Sequence, residues 1–155
     1  MRKALVVLAV LGLSGSLWAA DPIIGTWKMN VASNKVDDPN YKMPKSETWG
    51  VVIQQDAIKT TFDGVSSQGK AYHIEYTGKW DGKDVPVTGD PTAEAFARKE
   101  IDTNIIEFVL KKKPGMVPEA WRVTISNDGK TLTSLGKMKG ADGQEINATF
   151  VYDKQ

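Results

Sequence analysis

The chain has 155 residues, the length of one domain, with 20 basic and 19 acidic side chains, 41% apolar residues and no cysteine. That composition belongs to a soluble globular protein. It excludes a disulfide framework, a thiolate metal centre, a cysteine nucleophile and a lipid-modified amino-terminal cysteine. The near balance of charge supplies no basic field for nucleic acid or an anionic membrane.

The first twenty residues are predicted to be an export signal rather than part of the fold. Met1-Arg2-Lys3 is a short basic start, 4–13 is apolar, and 14–20 is rich in small residues and ends in Ala19-Ala20. Cleavage near Ala19 or Ala20 is expected to deliver residues 21–155 to the periplasm or the outside as a single domain. The alternative is an uncleaved anchor, but the apolar run falls short of the ~20 residues that span a bilayer, so no stable membrane insertion is expected after cleavage. Without Arg2 and Lys3 the remaining chain has 18 basic against 19 acidic residues.

Downstream the pattern is that of strands. The first runs over 24–31 and opens on Gly25-Thr26-Trp27. Residues 33–45 contain Pro39 and Pro44 and read as a loop. Over 48–55, Trp49, Val51 and Ile53 alternate with Val52 and Gln54; 57–62 is short and β-branched. Over 71–80, Tyr72, Ile74, Tyr76 and Trp80 share one face, and His73, Glu75, Thr77 and Lys79 share the other. Period two of this kind marks a half-buried strand. Residues 84–91 read as a Pro/Gly-rich connection.

Residues 90–100 conflict with themselves. Asp90 can cap a helix, Pro91 suits its first position, and the Ala/Glu/Lys content favours it. The apolar stripe is thin for a helix, however, and as a strand the segment alternates Phe96 and Arg98 against Ala95 and Ala97. We read it as a strand. Strands follow over 104–112, 119–126, 131–139 and 145–152, with Pro114 and Pro118 confining 113–118 to a loop. Four Asp-Gly pairs (63–64, 81–82, 128–129 and 142–143) are hairpin signals, since both residues tolerate positive φ; the last two are the clearest. The expectation is an all-β, antiparallel up-and-down meander of about eight to ten strands. Closure into a barrel removes the exposed edges.

On Gly25-Thr26-Trp27, the hairpin meander, the length after cleavage and the closing 149–154 strand, the chain resembles the calycins: lipocalins, fatty-acid-binding proteins and small exported bacterial lipocalin-like proteins. The resemblance implies a calycin-like barrel in which Gly25 and Trp27 are structural. It implies that Trp27 closes one end, packed under a basic side chain from a late strand. Fatty-acid-binding proteins also end in an Arg-x-Tyr that holds the ligand carboxylate. The matching residues here are Phe150 and Tyr152, so that clamp lacks its arginine.

Chemistry by sequence is sparse. His73 is the sole histidine, so no zinc or copper set and no cofactor is expected, and no catalytic signature is recognisable. The best candidates are aromatic: Trp49, Phe62, Tyr72, Tyr76, Phe96, Phe108, Trp121 and Tyr152, with Arg98 on the same inward face as Phe96 and able to accept an anion. In a barrel of this size they either fill the interior or line a cavity for one small, largely apolar or aromatic ligand. Three functions stay open: an exported non-catalytic binding protein, a solid barrel that contacts a protein partner through loops such as 33–45, and a barrel isomerase or dehydratase using Glu75 or His73 as base. Oligomeric state is not legible.

Overall fold

The computed structural model describes residues 21–140 and 143–155. The expected signal and Asp142 of the last Asp-Gly pair lie outside them. Eleven strands form one antiparallel sheet: β1 (Gly25–Met29), β2 (Lys35–Val36), β3 (Ser46–Gln54), β4 (Ala57–Val65), β5 (Ala71–Gly78), β6 (Asp81–Pro86), β7 (Ala93–Asp102), β8 (Ile105–Lys112), β9 (Glu119–Ile125), β10 (Thr131–Lys139) and β11 (Glu145–Lys154). Their order is β5-β4-β3-β1-β11-β10-β9-β8-β7-β6, with β2 beside β11. This is the expected all-β antiparallel meander, wrapped into a barrel because the first strand sits between β3 and the last.

Two strands exceed the expected set. The 33–45 loop contributes β2, which pairs Lys35 and Val36 with Thr149 and Ala148. A 3-10 turn, Val31–Ser33, bends the chain away from β1 and returns it to the same neighbour. Asn34 Oδ1 accepts the Val151 N–H at 2.7 Å, and Asp37 accepts both the backbone and the side-chain N–H of Asn147. These side chains fill ladder positions that the bend vacates, so β11 stays covered along its length. The other addition is β6, which overlaps the start of the segment read as a connection. Its ladder is with β7, with a register shift between Asp81 and Asp84, and it ends at Pro86, a residue tolerated on an edge.

Segment 90–100 is strand, not helix. The Asp90 carboxylate accepts the Thr92 N–H and hydroxyl in a local turn, and β7 then runs extended with Phe96 and Arg98 buried. The Asp-Gly signals divide. Gly129 and Gly143 take positive φ in the turns before β10 and β11, as expected. Asp63-Gly64 instead lies inside β4, paired with His73 and Tyr72, and Asp81-Gly82 begins β6. At Gly64 a side chain would collide with the Tyr72 ring, so this glycine answers to packing rather than to a turn. The β3–β4 hairpin turns on Gln55 and Asp56, Gln55 carrying φ 57°.

The core fills one end. Ile23, Trp27, Val51, Ile106, Val123, Ile125 and Leu132 are at most 2% exposed. Trp27 donates its indole N–H to the Ile23 carbonyl at 2.8 Å, and Lys154 Nζ stands 5.0 Å from the ring centroid while donating to the Pro22 carbonyl. Gly25 has φ +136°, and a Cβ there would press the Lys154 stem at 3.1 Å. The Gly-x-Trp step is thus explained by backbone and lysine together.

Closure between β5 and the β6 side depends on one residue pair. Glu75 N donates to Thr88 O at 3.0 Å and Thr88 N returns the bond at 2.9 Å. Beside it Gly89, φ +87°, lies so near the His73 carbonyl that a Cβ would overlap it. Gly89→Ala should therefore cost about 3 kcal/mol, from strain plus a backbone collision. Gly82→Ala, at φ +79° with nothing near an added Cβ, should cost about 1 kcal/mol. Urea midpoints compare the two; equal losses would mean that the seam is slack.

Candidate functional site

Toward the starts of β3, β5 and β9 and the ends of β8 and β10, the barrel encloses a cavity of about 440 Å³. Period two explains its walls. Trp49, Phe62, Tyr72, Tyr76, Phe96, Phe108, Trp121 and Tyr152 all line it, joined by Ile74, Leu110, Met138 and Phe150. The rings form a belt round the interior. Trp49 lies 5.0 Å from Phe62; Tyr76 stacks on Phe96 at 3.8 Å; Phe96 stacks on Phe108 at 4.9 Å; Trp121 stacks on Phe150 at 5.4 Å. At Gly136 any side chain would collide with the Trp121 ring, which lies flat in the space left.

Arg98 faces inward with Phe96, as its spacing requires, but one layer deeper. It is 3% exposed, and the cavity does not reach it. Gly25 and Trp27 also lie outside the cavity walls. Arg122 faces outward and pairs with Glu107 at 2.8 Å. His73 and Glu75 are on the outer surface, where His73 bonds Asp63 and Glu75, and Lys59 pairs with Glu75 at 2.7 Å. Neither lines the cavity, so neither is placed to act as a base within it.

The charged residues of the cavity are ones the sequence reading did not assign to it. Glu47 accepts hydrogen bonds from the Tyr72 and Tyr152 hydroxyls, both at 2.6 Å. Burial holds its carboxyl above the ordinary glutamate range, and the two hydroxyls pull it back in part. Burial, and then the Glu47 charge, push both phenols up. Among the described residues Glu47 has no ion-pair partner. Tyr41 borders the same wall; its phenol is raised by burial first, then by Glu119 and Glu47. Lys112, with a side chain only 10% exposed, lies 3.1 Å from Glu119 and 3.5 Å from Asp90, and the Trp121 indole donates to Glu119 at 3.4 Å.

Three carboxylates thus face the cavity against one ammonium, and that ammonium is already shared by two of them. The position matching the fatty-acid-binding clamp is inverted: Tyr152 is engaged by an acid of the protein itself. Glu47 lies two residues before Trp49, Glu119 two before Trp121 and Lys112 two after Leu110. Period two was the available signal for all three. Charged residues at strand ends read as solvated, and only barrel closure turns them inward.

No protein-family model and no curated protein matches the sequence. Among solved structures, the chain is similar to EF1p2_mFAP2b bound to DFHBI, at 12% identity over 88% of this chain and 97% of that one, with a TM-score of 0.48. It is similar to lobster apocrustacyanin A1, at 10% identity over 88% of this chain and 62% of that one, with a TM-score of 0.44. A de novo designed fluorescence-activating β-barrel is 15% identical over 88% of this chain and 97% of its own, with a TM-score of 0.39.

The Glu47 shift has a pH signature. An acid whose pKa is raised by folding binds its proton more tightly in the native state, so its contribution is complete below the unfolded value of 4.5 and is lost as pH rises through the folded value. From about pH 4.5 upward, the urea midpoint of the native sequence should fall relative to Glu47→Gln, and the two should run parallel below that. Parallel curves across the whole range would show that the tyrosine hydroxyls cancel the burial cost.

Proposed function

We propose that the protein is an exported, non-catalytic binding barrel for one small, largely apolar molecule, aromatic in part, that presents a hydrogen-bond donor or a cationic group. The observation that carries this is the cavity of about 440 Å³, walled by an aromatic belt and holding a carboxylate, Glu47, with no cation paired to it among the described residues. Ligand cavities commonly enclose ~300–1,000 Å³, with apolar walls and a few placed polar groups. A barrel filled by its own side chains would have no such space, so the solid-barrel reading is the weaker one.

The acidic wall selects against fatty acids. A ligand carboxylate would meet Glu47 and Glu119 with Lys112 already engaged. An amine or hydroxyl on an aromatic body complements the same surface, with the rings contributing stacking and cation–π attraction. The non-catalytic reading rests on the site's chemistry: besides Glu47, the titratable groups at the wall are phenols pushed up, and Asp90 and Glu119 tied to one lysine held between them. Export rests on the basic, apolar and small-residue succession of residues 1–20.

The protein, expressed with its signal and recovered from the periplasm, should carry a mass in native mass spectrometry that is lost on denaturation. Titration with an aromatic amine and its neutral isostere, followed by tryptophan fluorescence, should favour the amine. Glu47→Gln should cut that preference about tenfold, the lower range for a hydrogen bond to a charged group. Trp121→Ala should weaken both probes. A bare mass together with no response to either probe would overturn the reading.

A further inference from the structure

Beneath the aromatic belt lies a second polar cluster that the cavity does not reach. Arg98 is 3% exposed, Tyr76 6% and Thr60 0%. All three guanidinium nitrogens of Arg98, the Tyr76 hydroxyl and the Thr60 hydroxyl are buried with no hydrogen-bond partner. Thr60 and Tyr76 are direct cross-strand neighbours on β4 and β5. The Tyr76 phenol stands at the edge of hydrogen-bonding range of the guanidinium and of Thr60, without the geometry of a made bond to either. One face of the guanidinium is covered by Trp80 at 3.7 Å.

A guanidinium cannot shed its proton, and a buried charge without a counter-charge is costly. Among the described residues Arg98 has no ion pair. Asp21 and Glu100 contribute only at a distance, and the Asp21 carboxyl is itself held up by burial. Water can satisfy hydrogen bonds but not the charge. What remains is a set of converging donors, three nitrogens and two rotatable hydroxyls, with no anion among the side chains that form it.

We propose that Arg98, Tyr76 and Thr60 form a binding site for one compact anion, the size of chloride or formate, separate from the ligand cavity. The occupant is small because Tyr76 and Phe96, stacked at 3.8 Å, both line the cavity while Arg98 and Thr60 do not. A molecule in the cavity meets those rings before it meets the guanidinium. The site does not depend on the identity of the cavity ligand.

The test is thermal unfolding of the mature protein at constant ionic strength, with a bulky sulfonate as background anion and chloride or formate titrated in. An anion bound only by the native state raises Tm progressively with its concentration. The native sequence should show this rise. Tyr76→Phe, which keeps the stacked ring and removes one donor, should need about tenfold more anion for the same rise. Arg98→Met should lose the dependence. It should also unfold at a higher temperature than the native sequence in sulfonate alone, because it removes an uncompensated charge, and that advantage should shrink as chloride is added. A native Tm indifferent to chloride and formate would overturn the proposal, as would the same anion dependence in Arg98→Met. Stabilisation by octanoate alone, lost in Arg98→Met, would overturn it too, since Arg98 would then serve the cavity. Failure of the aromatic probes leaves this result untouched, so the two readings fail separately.

Discussion

The pairing of the first strand with the last, closed over Trp27, is the constraint from which the rest follows. Trp27 and Lys154 are opposite each other in the ladder, and the Lys154 ammonium reaches across the indole to the Pro22 carbonyl. The indole N–H is satisfied within its own segment, by Ile23. A large apolar ring can therefore be buried completely without leaving a donor unpaired. With that end packed, interior space is left only toward the other end, and the cavity lies there. Gly25 serves this closure twice, through its positive φ and through the lysine stem that crosses it.

The belt of rings divides the interior into two electrostatically opposite regions. Above it, Glu47 is held by two phenols while Glu119 and Asp90 share Lys112. Below it, Arg98 is surrounded by hydroxyls and an indole face. In a low-dielectric interior each set would reach the other strongly were it not for distance and intervening rings. Tyr76 belongs to both regions: its ring stacks in the belt, and its hydroxyl faces the deep cluster. The barrel thus places its interior charges at separate depths instead of neutralising them as one pair.

The seam between β5 and the segment after β6 is the least secured part of the wall. Every other neighbouring pair shares two or more ladder positions, whereas Glu75 and Thr88 close the circle alone. The approach of Gly89 to the His73 carbonyl shows that the backbones are as near as they can come. A single bridge suffices because the rings inside hold β5 and β7 together through the Tyr76–Phe96 stack.

Much of this could be read from the residues in order. Alternation identified the inward faces of most strands, and the eight aromatic side chains singled out from the sequence all line the cavity, because side-chain direction along a strand is a local property. It also oriented Arg98 inward. Local chemistry was a poorer guide where two distant strands decide the outcome. Asp63-Gly64 is an ordinary turn signal until Tyr72 is laid against it, and Asp81–Pro86 lacks the β-branched content of a strand yet pairs because β7 is beside it. Glu47, Lys112 and Glu119 are charged residues at strand ends, which in isolation belong in water. By itself, then, the sequence determined nine of the eleven strands, their faces and the all-β meander. Only the tertiary structure decided the depth of each side chain, which makes Glu47 a wall of the cavity and leaves Arg98 beneath it. Depth depends on strand register and stagger around the closed barrel, and those are set by pairings between residues far apart in the chain.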